Sequence, residues 1–140
     1  PAKLTDEEYG IMKWHTVYGA RLFTNNTSSL DEMSYDIALN HHEKWSGGGY
    51  PGRIPDVDHS DPAMGRPKTG EEIPLAARIA AIADVFDALS SRRSYKEPWT
   101  DDKIGDVIEE ESGRHFDPEI VTIFFEIFDV IKAIREKYRE

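Results

Sequence analysis

The chain has no cysteine among its 140 residues, which excludes a disulfide framework and any thiolate metal site. A bound metal would therefore have to be held by imidazole and carboxylate. No apolar run approaches the roughly 20 residues that a membrane helix needs, and no basic-then-apolar stretch opens the sequence, so a cytoplasmic location is expected. Positive charge is scarce: 17 Lys and Arg against 27 Asp and Glu give a formal net charge of −10. Such a field repels polyanions at long range and argues against non-specific nucleic-acid binding. A small anionic substrate remains compatible with the chain if a bound cation reverses the local sign. What is present, 39% apolar and 11% aromatic residues, suffices for one domain with one core.

The pattern predicts an all-α bundle of about five helices with one long Gly/Pro-rich loop. Thr5 and Glu8 have capping-box spacing, and Ile11, His15, Tyr18 and Leu22 follow at helical intervals, placing His15 on an apolar face. Ser29 and Glu32 repeat the box before Leu30, Met33, Ile37 and His41, a helix expected to end in Gly47-Gly48-Gly49. No periodicity survives from Ser46 to Ile73, and a loop of that length is usually functional or mobile. Pro74 suits a first helical turn, with Leu75, Ile79, Ile82, Phe86 and Leu89 along one face. Thr100 with Asp101 and Asp102 starts a short helix that stops near Gly113. Asp117-Pro118 starts a last one, striped by Ile120, Phe124, Ile127, Ile131 and Ile134.

Three segments carry titratable chemistry. Neighbours on a helix point about 100° apart, so His41 and His42 within one would face two ions, or one ion and a substrate; both also suit a helix C-terminus. His15 is either a ligand or a hydrogen-bonded core histidine. Asp84, among Ala80, Ala81, Ala83 and Ala88, is expected to be buried and so to need a metal or an Arg as counter-charge. Asp87 is a second acid or a partner of Arg92 or Arg93. Together, His15, His41, His42 and Asp84 form a donor set suited to zinc, iron, manganese or nickel, which would bring the pKa of bound water towards ~7. His59 reads as a solvated loop residue and His115 as a turn or packing residue. In Gly49-Tyr50-Pro51 the glycine admits close backbone approach, and Tyr50 could stack on a base or hydrogen-bond a phosphate. Arg53 could fork onto phosphate. The same stretch also suits a helix stop with an aromatic anchor.

These residues lie in an order that resembles a known family. His-His-Glu-Lys-Trp-Ser-Gly-Gly-Gly-Tyr-Pro at 41–51 is similar to the signature of the HD-GYP phosphodiesterases. So are Glu71 to Ile79, Ala83 to Leu89 continuing through Arg93 and Tyr95, Phe116-Asp117-Pro118, and Leu4 to Ala20 with Met12, His15 and Gly19. The resemblance implies a helical HD-superfamily domain that hydrolyses cyclic di-GMP at a di- or trinuclear centre, commonly of iron or manganese. It implies His15, His41, His42 and Asp84 as metal ligands. It also implies Gly49, Tyr50 and Pro51 as pocket wall, Arg93 and Lys96 as nearby basic groups, and water activated between metals as the attacking group.

Four features depart from the family pattern. The His-Asp pair and following lysine that name the superfamily would precede Leu4, so no catalytic residue is identifiable, and residues 1–140 read as a single domain lacking that segment. Ser46 stands in place of an Asp, the connection from Pro51 to Glu71 is long, and Ser94 replaces a proline. The expectation is therefore a fragment of a larger protein, with an upstream sensor or receiver domain, weak metal binding, impaired activity and a tendency to dimerise through uncovered apolar surface. The alternative expectation is a non-catalytic signalling module that binds cyclic di-GMP or a diguanylate cyclase domain through the Gly-Tyr-Pro loop.

Overall fold

The computed structural model describes residues 4–25, 27–58, 64–91 and 97–138; His59, Arg93 and Lys96 lie outside them. Among the described residues there are seven α-helices: α1 (Asp6–Lys13), α2 (His15–Arg21), α3 (Ser29–Asn40), α4 (Leu75–Ser90), α5 (Asp101–Glu110), α6 (Pro118–Glu126) and α7 (Phe128–Lys137). A single 3₁₀ turn, Gly70–Glu72, interrupts the long loop. The described residues contain no strand, and Ser112 and Phe116 form an isolated bridge. The all-α expectation holds. None of these helices is long and apolar enough to cross a membrane.

The helix count exceeds five because two of the expected helices are broken. At Trp14 the N–H bonds back three residues to the Ile11 carbonyl (3.1 Å), and the His15 ring takes up the Met12 carbonyl (2.8 Å). At Ile127 the backbone leaves helical geometry at φ −107° and ψ 12°. Beyond that break, Phe128 and Ile131 pack against the core while Ile127 and Ile134 are exposed.

Most helix starts follow from local chemistry. Thr5 and Glu8 close a reciprocal capping box, the Thr5 N–H donating to Glu8 Oε2 (2.7 Å) and the Glu8 N–H to Thr5 Oγ1 (3.2 Å). Thr100 caps α5, and Asp117 caps α6 with Pro118 as its first residue. One start shifts: Ser28 rather than Ser29 caps α3, its hydroxyl accepting from the Asp31 N–H (3.2 Å).

Two apolar clusters hold the fold. The larger joins Ile82 and Phe86 of α4, Ile104 and Ile108 of α5, Phe116, and Ile120, Val121 and Phe124 of α6. The smaller joins Val17 and Ala20 of α2 to Leu39 of α3 and Val57 of the loop. Of the residues that recur at helical spacing, Leu30 and Met33 of α3 and Leu75 and Ile79 of α4 are exposed.

Candidate metal centre

The centre is assembled where α2 starts and α3 stops. α3 ends at Asn40, well before the glycine run. There the Asn40 side chain turns back to donate to the Asp36 carbonyl (2.9 Å), and its own carbonyl accepts the Glu43 N–H (2.9 Å). His41 is thus the cap residue and His42 lies beyond it, so the 100° divergence of a continuing helix does not apply. Their ring centroids are 4.2 Å apart, and one ligand atom from each of His15, His41 and His42 fits within 4.8 Å of the others. The pair is therefore able to serve one ion together with His15, which a continuing helix would forbid.

The hydrogen bonds at the far side of each ring decide which nitrogen is available. His15 Nδ1 meets the Met12 carbonyl at 2.8 Å, and His41 Nδ1 meets those of Ile37 (2.9 Å) and Ala38 (3.1 Å). A carbonyl only accepts, so both Nδ1 atoms donate, and the Nε2 atoms are the ones turned towards each other. Those two Nε2 atoms lie 3.3 Å apart. Nitrogens sharing an ion at about 2.1 Å sit about 3–3.4 Å apart, so this spacing suits a metal ion held between them. Backbone carbonyls orienting ligating histidines from behind are the usual second-sphere arrangement. The donor set therefore fits a divalent metal ion.

His42 completes the cluster. Burial, followed by the neighbouring His41 and His15, pushes its pKa down to about 4, so it is neutral and able to ligate at physiological pH. Tyr50 stacks on it at 4.8 Å with a 26° tilt, and the Tyr50 N–H donates to the His42 carbonyl (3.2 Å). Burial raises the Tyr50 phenol to about 12, keeping it a hydrogen-bond donor.

Asp84 differs from expectation. It is exposed on α4 rather than buried, and it stands outside the three-histidine cluster. Of its alanine neighbours Ala80 does border open room, a cleft of about 400 Å³ between α3 and α4 that is lined by both Asp84 and His41. Its charge is close enough to oppose the depression of the His42 pKa. His15 is also exposed, on a face where Ile11, Tyr18 and Leu22 meet solvent. Asp87 is exposed and accepts from the Ser91 hydroxyl (3.0 Å). Arg53 is paired with Glu72. His115 is a packing residue, stacked on Phe116 at 4.5 Å.

The residue missed by pattern reading is Glu43. It is 2% exposed, and its carboxylate accepts the backbone N–H of Gly52 (2.5 Å) and of Lys68 (3.2 Å). The Lys68 ammonium reaches Asn40 Oδ1 (2.6 Å), closing a ring from the end of α3 through both flanks of the loop. Burial pushes the Glu43 pKa up, and those two N–H groups and the Lys68 charge resist it. Gly49 lies against the same residue: a Cβ there would fall 2.5 Å from Glu43 Cα and 2.6 Å from the His42 carbonyl oxygen. Tyr50 and the buried Pro51, joined by a cis peptide, are thus set beside His42.

Residues 1–120 match the sequence profile of the HD domain. The chain belongs to the HD domain family. This HD domain is 42% identical over 135 residues to the 3′3′-cGAMP-specific phosphodiesterase 2 of Vibrio cholerae, covering 96% of the chain and 23% of that protein. It is 40% identical over 145 residues to a cyclic di-GMP phosphodiesterase of Vibrio cholerae (100% of the chain, 27% of that protein). It is 37% identical over 139 residues to a cyclic di-GMP phosphodiesterase of Thermotoga maritima (99% and 33%). The HD domain thus spans about a quarter to a third of the length of these relatives.

Proposed function

We propose that this HD domain is the metal-holding part of a phosphodiesterase acting on a cyclic dinucleotide such as cyclic di-GMP or 3′3′-cGAMP, in a protein with an upstream sensor or receiver domain. The observation that carries this reading is the convergence of His15, His41 and His42, with the Nε2 atoms of His15 and His41 3.3 Å apart and their Nδ1 protons donated to backbone carbonyls. Asp84 is the candidate fourth ligand from across the cleft, and iron or manganese the candidate metal.

A divalent ion held here supplies Lewis-acid polarisation of a phosphoryl oxygen and lowers the pKa of water. The chain's own residues supply the rest. The Met12, Ile37 and Ala38 carbonyls hold the His15 and His41 rings in one tautomer. His42 stays unprotonated because charging it inside the cluster is costly. The protonated Tyr50 phenol offers a donor to anionic oxygen, and its ring excludes water from one face of His42. Gly49 keeps the loop close enough for this stacking.

Elemental analysis after loading with iron or manganese, followed by a cyclic di-GMP hydrolysis assay, tests the reading. Metal bound by the parent chain, absent from His42→Ala, with hydrolysis following the metal, is the expected result. Equal metal content in both chains would overturn it. Hydrolysis-free binding of cyclic di-GMP would instead favour the non-catalytic module.

A further inference from the structure

Outward from the imidazole cluster, the aromatic path continues onto α1, where the sequence assigned no role to Tyr9 or Lys13. Tyr9 and Lys13 stand four residues apart on α1 and so share one face of it. The Tyr9 ring meets Tyr50 edge-on, with centroids 6.5 Å apart. The Lys13 ammonium sits over both rings, 4.7 Å from the Tyr9 centroid and 5.5 Å from that of Tyr50. Among the described residues no carboxylate is within ion-pair distance of it. Cation–π contact holds an ammonium in place without neutralising it, so its outer side keeps a full charge for an anion. That charge is a local exception in a chain of net charge −10. Tyr9 is 44% exposed, leaving ring surface for a planar group.

We propose that Lys13 and Tyr9 form a nucleotide subsite next to the metal centre, the Lys13 ammonium binding a phosphodiester oxygen and the Tyr9 ring stacking on the adjoining base. The proposal rests on the phosphodiesterase reading and adds to it what would hold the nucleotide beside the scissile phosphate. Aromatic stacking of a base and an ammonium–phosphate contact give different signatures: the first needs a ring, the second needs charge and weakens with salt.

The test is calorimetric titration of the metal-loaded chain with cyclic di-GMP at several salt concentrations, with metal content measured on every variant. Lys13→Met is expected to weaken binding about tenfold and lower the salt slope by about one, while Lys13→Arg stays within about threefold of the parent. Tyr9→Leu is expected to weaken binding at least about fivefold, with Tyr9→Phe unchanged. Metal content is expected to be equal throughout. Parent-like binding by Lys13→Met and Tyr9→Leu, or an equal loss in Lys13→Met and Lys13→Arg, would overturn the subsite alone. A metal-loaded parent that binds no cyclic di-GMP would overturn the phosphodiesterase reading and the subsite with it.

Discussion

The two halves of this domain are held together by different means. Around α4, α5 and α6 the interior is chiefly hydrocarbon and ring, with the Asp117–Arg78 pair at its edge: Ile104 and Ile108 are fully buried, and Phe86 meets Phe124 edge-on at 5.8 Å. Around α2, α3 and the loop the apolar cluster is small, and Thr16, Asn40 and Glu43 are buried with it. The hydrocarbon half gains stability in proportion to area and tolerates small displacements. The polar half gains little net stability from each hydrogen bond, yet loses much if one partner goes, because the other is left desolvated and unpaired. Side chains that must meet at one point are therefore positioned by the half whose geometry is stricter.

Removing Phe124 is the largest test of this contrast. Phe124→Ala is expected to cost about 3–5 kcal/mol in denaturant unfolding, with metal uptake by the folded fraction unchanged. Glu43→Ala comes next, at about 2–4 kcal/mol, since it strands the Gly52 and Lys68 N–H groups. Here metal uptake should fall as well, and uptake reduced equally by Phe124→Ala would erase the distinction between the halves. His42→Ala should cost only about 1 kcal/mol without metal, through the lost stacking on Tyr50. It should also abolish the rise in melting temperature that metal gives the parent, about 2.7 kcal/mol at a hundredfold excess over Kd.

The smallest effect is electrostatic. Arg135 bonds Asp101 at 2.6 and 3.1 Å and holds its carboxyl below the ordinary 3.8. A carboxyl with a depressed folded pKa stabilises above its unfolded value, and that contribution is lost as pH falls through the folded value. Asp101→Asn should therefore flatten the stability profile below about pH 4 by less than about 1 kcal/mol, leaving neutral-pH metal uptake unchanged. Acid titration of both chains by circular dichroism checks it.

The contrast also explains what could be read in advance. Thr5, Thr100 and Asp117-Pro118 marked helix starts correctly because a cap involves residues within one turn. The motif Phe116-Asp117-Pro118 proves structural throughout: Phe116 is core, Pro118 opens α6, and Asp117 bonds the Glu119 N–H and pairs with Arg78 at 2.5 Å. His15, His41 and His42 were legible as one donor set, but the way the adjacent pair joins it was not, because that depends on α3 stopping at Asn40. Helical spacing cannot announce a stop made by an asparagine side chain that Lys68 holds from 28 residues away. Glu43 was illegible for the same reason, its partners being main-chain groups 9 and 25 residues on. The buried environment assigned to Asp84 failed because small neighbours permit close approach without ensuring that another helix arrives.

The neck of the long loop has a consequence for how this chain can vary. Arg53 N–H donates to the Arg66 carbonyl (3.0 Å) and Gly65 N–H to that of Pro51 (2.8 Å), while Val57 plugs into the smaller cluster. The two flanks of the loop are thereby tied at their base, Pro51 and Arg53 to Gly65 and Arg66. Extra length between those flanks adds only the slow logarithmic cost of a larger ring. A chain lengthened beyond that tie keeps the backbone bonds on which the Glu43 ring and the imidazole pocket rest.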